Sequence, residues 1–277
     1  MMKIGVLHPG EMGSSIGDCL IQSGHEVFWA SSERSQLSRN RALSWQERWK
    51  LSDLAEEVDA IFSVCPPSKA RALAKEVWDL RFRGIYVDAN AIAPQTASEI
   101  LNDFGTNYVD GGLIGPPARF QGSTRLYLSG KFAREVGSWF DSSLLDAKVI
   151  STKMEVQASS LKMAYAGYTK GSSALLMLIS AFAELAGVRE SLVKEWELSQ
   201  PALIKRSEQI AEVTAAKAWR FVGEMEEIAK AMKSSDLPEG FHSASAELYS
   251  FMVGFKDAKP TDLKEVLEEI ISLRNRQ

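Results

Sequence analysis

Two glycines near the start of the chain have the spacing of a turn that could hold a phosphate group. Gly10 and Gly13 follow the apolar run from Lys3 to Leu7 and precede a segment with helical periodicity. Such a turn lets the backbone approach a pyrophosphate closely, and the first amides of the next helix face the anion. His8 stands where the dinucleotide fingerprint has its first glycine, so a strand-to-helix turn without a ligand is the alternative interpretation. The residues predicted to contact a dinucleotide are His8, Pro9, Gly10, Glu11, Met12 and Gly13.

The loop after the next strand-like run should distinguish the two nicotinamide dinucleotides. An Asp or Glu at this position accepts a hydrogen bond from the ribose 2′-OH of NAD, whereas this chain has Ser31 and Ser32, followed by Arg34. Hydroxyl and guanidinium donors suit a 2′-phosphate. These residues therefore predict NADP(H) in preference to NAD(H). Glu33 opposes that interpretation, and a solvated polar loop is the alternative.

A sheet with one common edge would bring such residues together. The first half of the chain alternates short runs of strand-forming residues with helical stretches, which favours a mainly parallel sheet covered by helices on both faces. From about Lys153 onward, helical periodicity continues to the C-terminus. The sequence thus predicts an α/β protein, with a doubly wound Rossmann-type domain over residues 1–152 and an all-α domain over residues 153–277. The predicted strands are 3–7, 26–30, 60–65, 85–89, 108–111, 126–129 and 148–150.

The helical half is predicted to begin with one long helix, or two nearly continuous ones, over residues 154–187. Its most apolar part, residues 174–183, is shorter than the roughly 20 residues of a membrane span and is interpreted as a buried helix. Pro201, Pro238 and Pro260 are predicted to mark helix starts or breaks.

Composition narrows the class of protein. The chain of 277 residues has a formal net charge of −4 and 45% hydrophobic residues, which is typical of a soluble globular protein and predicts neither a nucleic-acid partner nor a membrane partner. Cys19 and Cys65 form no CxxC pair, so no zinc framework or other metal site is predicted. Two isolated cysteines suit a reducing cytoplasm, which is the expected location.

Three further motifs carry a family resemblance. SVCPP (63–67), DANAIAP (88–94) and DGGLIGPP (110–117) each follow a predicted strand, and a helix that carries Lys162 comes next. In this order they resemble the β-hydroxyacid dehydrogenase family, which includes 3-hydroxyisobutyrate and 6-phosphogluconate dehydrogenases, and more closely a phosphogluconate-dehydrogenase-like branch. The resemblance spans essentially the whole chain. It implies that Cys65, Pro66, Pro67 and Asn90 contact the cofactor and that the helical domain forms a homodimer or homotetramer.

The resemblance also implies a catalytic lysine. Lys162 matches the lysine of the family pattern GxGxxxKxxNN, and Tyr165 and Ala166 replace the two asparagines. Lys162 would act as general acid and base toward a small-molecule substrate. A solvated helix lysine is the alternative interpretation. The residues expected to contact substrate are Gly112, Ile114, Gly115, Tyr165, Thr169, Glu224 and His242.

Departures from the family pattern leave the substrate open. Ile114 offers no hydroxyl and Pro116 no amide hydrogen where the family binds a substrate carboxylate. For Glu224 a pocket role and a solvated position are weighed equally, and His242 is as compatible with a capping or core position. The expected activity is NADP-dependent hydride transfer to or from a small hydroxy acid or a related alcohol or carbonyl. An imine reductase and a noncatalytic NADP-binding protein are the alternatives.

Overall fold

The structure, a computed structural model, describes residues 1–256 and 262–272, apart from the side chains of residues 211 and 212. The chain divides into two compact units, Met1–Met163 and Ala164–Gln277. Residues 157–163, the start of a long helix, group with the first unit. Pro260 lies outside the described residues.

The described part of the first unit is built on an eight-stranded sheet. Its strands are β1 (Lys3–Leu7), β2 (Glu26–Ala30), β3 (Gln46–Arg48), β4 (Ala60–Ser63), β5 (Ile85–Asp88), β6 (Tyr108–Ile114), β7 (Arg125–Ser129) and β8 (Asp146–Ser151). The strand order is β3-β2-β1-β4-β5-β6-β7-β8, and of these pairs β6 with β7 is antiparallel. The order reverses direction between β1 and β4, which is where an open α/β sheet binds its ligand. The predicted Rossmann-type fold is confirmed.

Helices cover both faces of this sheet. They are α1 (Glu11–Gln22), α2 (Gln36–Arg41), α3 (Leu51–Glu57), α4 (Pro67–Asp79), α5 (Pro94–Phe104) and α6 (Ala133–Ser138). Successive residues of β4 enter different cores: Phe62 joins the cluster that holds Ile16 of α1, whereas Ile61 joins the cluster that holds Leu73 of α4. This alternation is what two buried faces require.

The second unit is helical throughout its described elements. They are the greater part of α7 (Gln157–Leu185), then α8 (Arg189–Ser199), α9 (Ala202–Thr214), α10 (Ala218–Ser234), α11 (Gly240–Phe251) and α12 (Leu263–Ser272), with short 3-10 turns between some of them. Pro201 lies between α8 and α9, and Pro238 precedes α11, as predicted. In the part of the chain that the structure covers, no helix combines the length and the apolar character that a membrane span needs.

The buried position predicted for residues 174–183 is wrong in part. Ala174 and Met177 are buried, but Leu178 is 47% and Phe182 64% exposed. Consecutive apolar residues point to all sides of a helix, and the described elements of the second unit cover one side of α7. The other side is an apolar surface, defined here as the α7 stripe: Leu175, Leu178, Phe182 and Leu185.

Candidate active site

The glycine turn sits at the carboxyl end of β1, beside the point where the strand order reverses. Gly13 has no room for a side chain, because a Cβ there would lie 2.3 Å from the carbonyl oxygen of His8. Gly10 precedes α1, and apart from Gly10 and its two chain neighbours no described residue comes within 4 Å of the position that its Cβ would take. Within the described residues, no side chain caps the first turn of α1. Gly13 thus closes the turn tightly, while the space beside Gly10 lets an anion approach the start of α1.

Polar atoms without partners surround this turn. His8 Nδ1, Ser31 Oγ and Arg34 Nε are buried and make no hydrogen bond within the described part of the chain. Burial first, and then the charge of Arg34, lowers the pKa of His8 to about 4, so the imidazole is neutral near pH 7. Burial also lowers the pKa of Arg34. Buried polar groups without hydrogen-bond partners are uncommon in native proteins, and such a group indicates a position where a ligand or a water molecule binds.

Arg39 holds the loop after β2 in place. Its guanidinium donates to the carbonyl oxygen of Ser31 at 2.9 Å and pairs with Glu47 at 3.2 Å. Ser32 is half-buried, and Glu33 is exposed with a φ of 60°. The loop therefore places Ser31, Ser32 and Arg34 close together after β2, and their contact with a cofactor stays a prediction.

The motifs after β4 and β5 are tied to each other. The amide oxygen of Asn90 accepts from Cys65 N at 2.5 Å, and its amide nitrogen donates to Ser63 Oγ at 3.0 Å. Asn90 thus links the carboxyl ends of β4 and β5 by hydrogen bonds. Its contact with a cofactor stays a prediction. Burial raises the pKa of Cys65 to about 12, which keeps it a thiol. Pro66 is exposed and Pro67 begins α4.

Lys162 lies in the second turn of α7, in the part of that helix that belongs to the first unit. Its Nζ donates to the carbonyl oxygen of Leu113, in β6, at 2.6 Å, and the side chain is half-buried. Gly112 permits this approach, since a Cβ there would lie 2.6 Å from the carbonyl oxygen of Ala158. Ile114 is buried, and Gly115 follows with a φ of 126°. Lys162, Gly112 and the end of β6 are therefore brought together.

Two buried carboxyl groups lie beside these residues and were not selected from the sequence. Asp88 and Asp110 are register partners in β5 and β6. Burial is the main reason that the pKa of Asp88 rises to about 7 and that of Asp110 to about 6. In the sequence they could have been recognised because each of two successive predicted strands has an aspartate near its end.

The other predicted substrate residues lie in the second unit. Glu224, in α10, is buried and forms an ion pair with Lys170 of α7, with 2.5 Å between Nζ and Oε2. The Lys170 ammonium also lies 4.9 Å from the ring centre of Phe221. Lys170 has no motif that would have singled it out in the sequence. Of the two positions weighed for Glu224, the solvated one is wrong, because α10 turns this residue inward onto α7.

His242 packs closely against α7. Its Nε2 would lie 3.3 Å from a Cβ at Gly167, and its Nδ1 is buried without a hydrogen-bond partner in the described residues. Burial lowers its pKa. Tyr165 is 48% exposed, and Thr169 Oγ1 donates to the Tyr165 carbonyl oxygen at 3.0 Å. The described residues contain no cluster of His, Cys, Asp and Glu that could hold a metal ion.

Two family models match the chain in different places. Residues 3–92 match the family described as NADP oxidoreductase, coenzyme F420-dependent. Residues 183–252 match a domain of unknown function, DUF1932. An uncharacterized 28.5 kDa protein of Methanothermus fervidus is 28% identical over 196 residues, which cover 70% of this chain and 75% of the relative.

Solved structures match the whole fold. One is a conserved protein of unknown function reported to resemble 3-hydroxyacid dehydrogenases, with 22% identity, a TM-score of 0.66 and coverage of 99% of this chain and 97% of the other. The 3-hydroxyisobutyrate dehydrogenase of Mycobacterium tuberculosis has 15% identity, a TM-score of 0.69 and coverage of 97% and 98%. A reductive aminase of Aspergillus terreus, solved with NADPH, has 13% identity, a TM-score of 0.56 and coverage of 97% and 99%.

These similarities agree with the resemblance seen in the motifs. The chain has the fold of the 3-hydroxyacid dehydrogenases. The two family models, over residues 3–92 and 183–252, are compatible with this fold. The match over residues 3–92, to a family of NADP oxidoreductases, supports an NAD(P)-dependent oxidoreductase as the class of enzyme.

Proposed function

We propose that the protein is an NADP-dependent oxidoreductase that transfers a hydride between the nicotinamide and a small hydroxy acid, or a related alcohol or carbonyl compound. The observation that carries the proposal is the turn at Gly10 and Gly13, which lies at the reversal of strand order and is surrounded by buried polar atoms without described partners. A dinucleotide fits this edge because its pyrophosphate can approach closely beside Gly10 and meet the amides that begin α1.

Preference for NADP rests on the loop after β2. Ser31 and Ser32 offer hydroxyl groups, and Arg34 offers a guanidinium whose Nε is buried and has no hydrogen-bond partner in the described chain. A 2′-phosphate would satisfy that donor and compensate the charge that burial disfavours. The end of β2 has no carboxylate, the group that would bind a free ribose 2′-OH. Glu33 is exposed and can turn to solvent.

Lys162 is proposed to carry the proton. The bound nicotinamide supplies hydride transfer. In the oxidation direction the neutral Lys162 amine takes the hydroxyl proton of the substrate, and in the reduction direction its ammonium returns that proton to the oxygen. The bond to the Leu113 carbonyl oxygen holds Nζ at the end of β6. The proposed acid–base group is thereby fixed by the same sheet that carries the dinucleotide turn.

The test of Lys162 is its replacement by methionine, which keeps the length of the side chain and removes the amine. We expect Lys162→Met to lose at least about a hundredfold in kcat, the lower range for general acid–base catalysis, while the Kd for NADPH stays nearly unchanged. Lys194→Met is the matched control, because Lys194 is an exposed helical lysine in the second unit. Unimpaired turnover by Lys162→Met would reject the proposed role.

An imine reductase is the second candidate, and one feature favours it. Ile114, the last residue of β6, is buried and has no hydroxyl, and Pro116 has no amide hydrogen, so two donors that the family pattern offers to a substrate carboxylate are missing here. NADPH oxidation should therefore be measured with hydroxy-acid precursors, aldehydes and cyclic imines side by side. Turnover of imines alone would select the second candidate, and tight NADPH binding without any turnover would select a noncatalytic role.

We also propose that a second copy of the chain covers the α7 stripe, giving a homodimer or homotetramer. Its four residues recur at intervals of three and four, so they form one continuous apolar surface, and large exposed apolar surfaces are typical of association sites. Phe182→Glu should lower the molar mass measured by light scattering, whereas the charge-reversal control Lys194→Glu should not. A monomeric wild-type protein would reject this proposal.

A cytoplasmic location is proposed because both cysteines are free thiols, which suits a reducing compartment.

A further inference from the structure

A buried cluster joins the start of α7 to the sheet of the first unit. Asp110 and Ser129 face each other as a register pair of β6 and β7. Ser129 Oγ accepts from the amide of Ala158 at 3.1 Å, and Asp110 Oδ2 accepts from the amide of Ser159 at 2.9 Å. Asp110 also accepts from the hydroxyls of Ser129 and Ser159. The first amides of a helix have no acceptor within that helix. In α7, two of them therefore donate to side chains of the sheet.

The same helix carries Lys162 one turn further on. Three contacts fasten this segment to β6: Ser159 to Asp110, Ala158 against Gly112, and Lys162 to the carbonyl oxygen of Leu113. The last contact depends on the first, because one helical turn has no freedom to slide once its starting amide is fixed. The register of the helix start on β6 thus sets the position of the lysine Nζ.

We propose that Asp110 is a positioning residue for Lys162, an inference that rests on the catalytic role proposed for that lysine. The Asp110 carboxylate holds the first turn of α7 through its charge and its hydrogen bonds, and the positive end of the helix dipole stabilises that charge. Without the charge, the anchor weakens and the lysine amine loses its fixed place at the end of β6. A displacement of about 1 Å in a reacting group can cost about a hundredfold in rate.

The test compares Asp110→Asn with Asp141→Asn, an exposed aspartate of the same unit. We expect Asp110→Asn to lower kcat roughly 10- to 100-fold and to leave the Kd for NADPH within about twofold of the wild-type value. Ser159→Ala, which removes one donor and keeps the carboxylate, should lower kcat by a smaller factor. Amide hydrogen exchange of residues 157–163 should become faster in Asp110→Asn, and the control should leave both quantities unchanged.

A double variant separates positioning from general destabilisation. If Asp110 acts through Lys162, then adding Asp110→Asn to Lys162→Met should lower the residual rate no further, since coupled residues are not additive. A further fall equal to that of the single variant would overturn the proposal, as would unchanged hydrogen exchange in residues 157–163. If Lys162→Met itself turns over normally, the proposed function of the lysine fails, and the positioning role fails with it. If Lys162→Met is inactive while Asp110→Asn is fully active, the positioning role alone fails.

Discussion

Replacing Asp88 by asparagine should change the stability of the protein by an amount that depends strongly on pH. The carboxyl group lies at the end of β5, is 1% exposed, and has one oxygen, Oδ2, without a hydrogen-bond partner in the described chain. Its other oxygen accepts from the amide of Asn90 at 2.9 Å. Burial raises its pKa from the ordinary 3.8 to about 7. The folded protein therefore binds this proton more tightly than the unfolded chain does.

The sign of the effect follows from that difference. Because the folded-state pKa is the higher one, the folded protein holds more protons between about pH 4 and pH 7, and its stability falls as the pH rises through this range. With a shift of about 3 units at about 1.4 kcal/mol each, ionisation of Asp88 costs the folded state up to about 4 kcal/mol above pH 7. The free energy of unfolding therefore falls by about 2 to 3 kcal/mol between pH 5 and pH 8 because of this one group.

Asp88→Asn removes the titration and keeps the shape of the side chain. Relative to wild type, it should gain about 2 to 3 kcal/mol in free energy of unfolding between pH 5 and pH 8. At pH 5 it should be neutral or destabilising by about 1 kcal/mol, because the new amide nitrogen is buried in place of Oδ2. Urea unfolding at both pH values and one protein concentration measures this, with Asp141→Asn as the control. An equal effect of Asp88→Asn at both pH values would show that the carboxyl is not perturbed, and would refute the reasoning.

Three further outcomes follow from contacts already described. Gly13→Ala would place a Cβ 2.3 Å from the His8 carbonyl oxygen, so it should abolish NADPH binding measured by fluorescence and lower the melting temperature; wild-type affinity would contradict the role of the turn. Arg34→Ala should weaken NADPH binding about tenfold or more and leave NADH binding nearly unchanged, and equal losses for both would contradict the 2′-phosphate site. Lys170→Met should lower the free energy of unfolding by about 3 kcal/mol because it removes the ammonium group that pairs with the buried carboxylate of Glu224. Restored stability in the double variant Lys170→Met, Glu224→Gln would confirm that cause.

Local pattern was sufficient for much of the first unit. Strands β1 and β2 have the predicted bounds, because a run of strand-forming residues between turn residues is a short-range signal. Strand β3 was missed, since its three residues, Gln46–Arg48, are polar and lie at the edge of the sheet, where no apolar pattern is required. The turn at Gly10 and Gly13 was predictable for the same local reason as β1.

What the tertiary structure decided are the contacts between residues distant in sequence. Asp110 meets Ser159 across 49 residues, and Lys170 meets Glu224 across 54. The order of the strands and the packing of the helices bring these residues together. The pattern of residue types along the chain does not specify such contacts. The exposure of the α7 stripe is of the same kind, because hydrophobic periodicity shows that a helix face is apolar, whereas burial depends on which elements fold against that face. The types and spacing of the residues thus determined most helices and strands and the candidate chemistry. How deeply each charged group is buried, and which residues it contacts, was set by the packing of the chain.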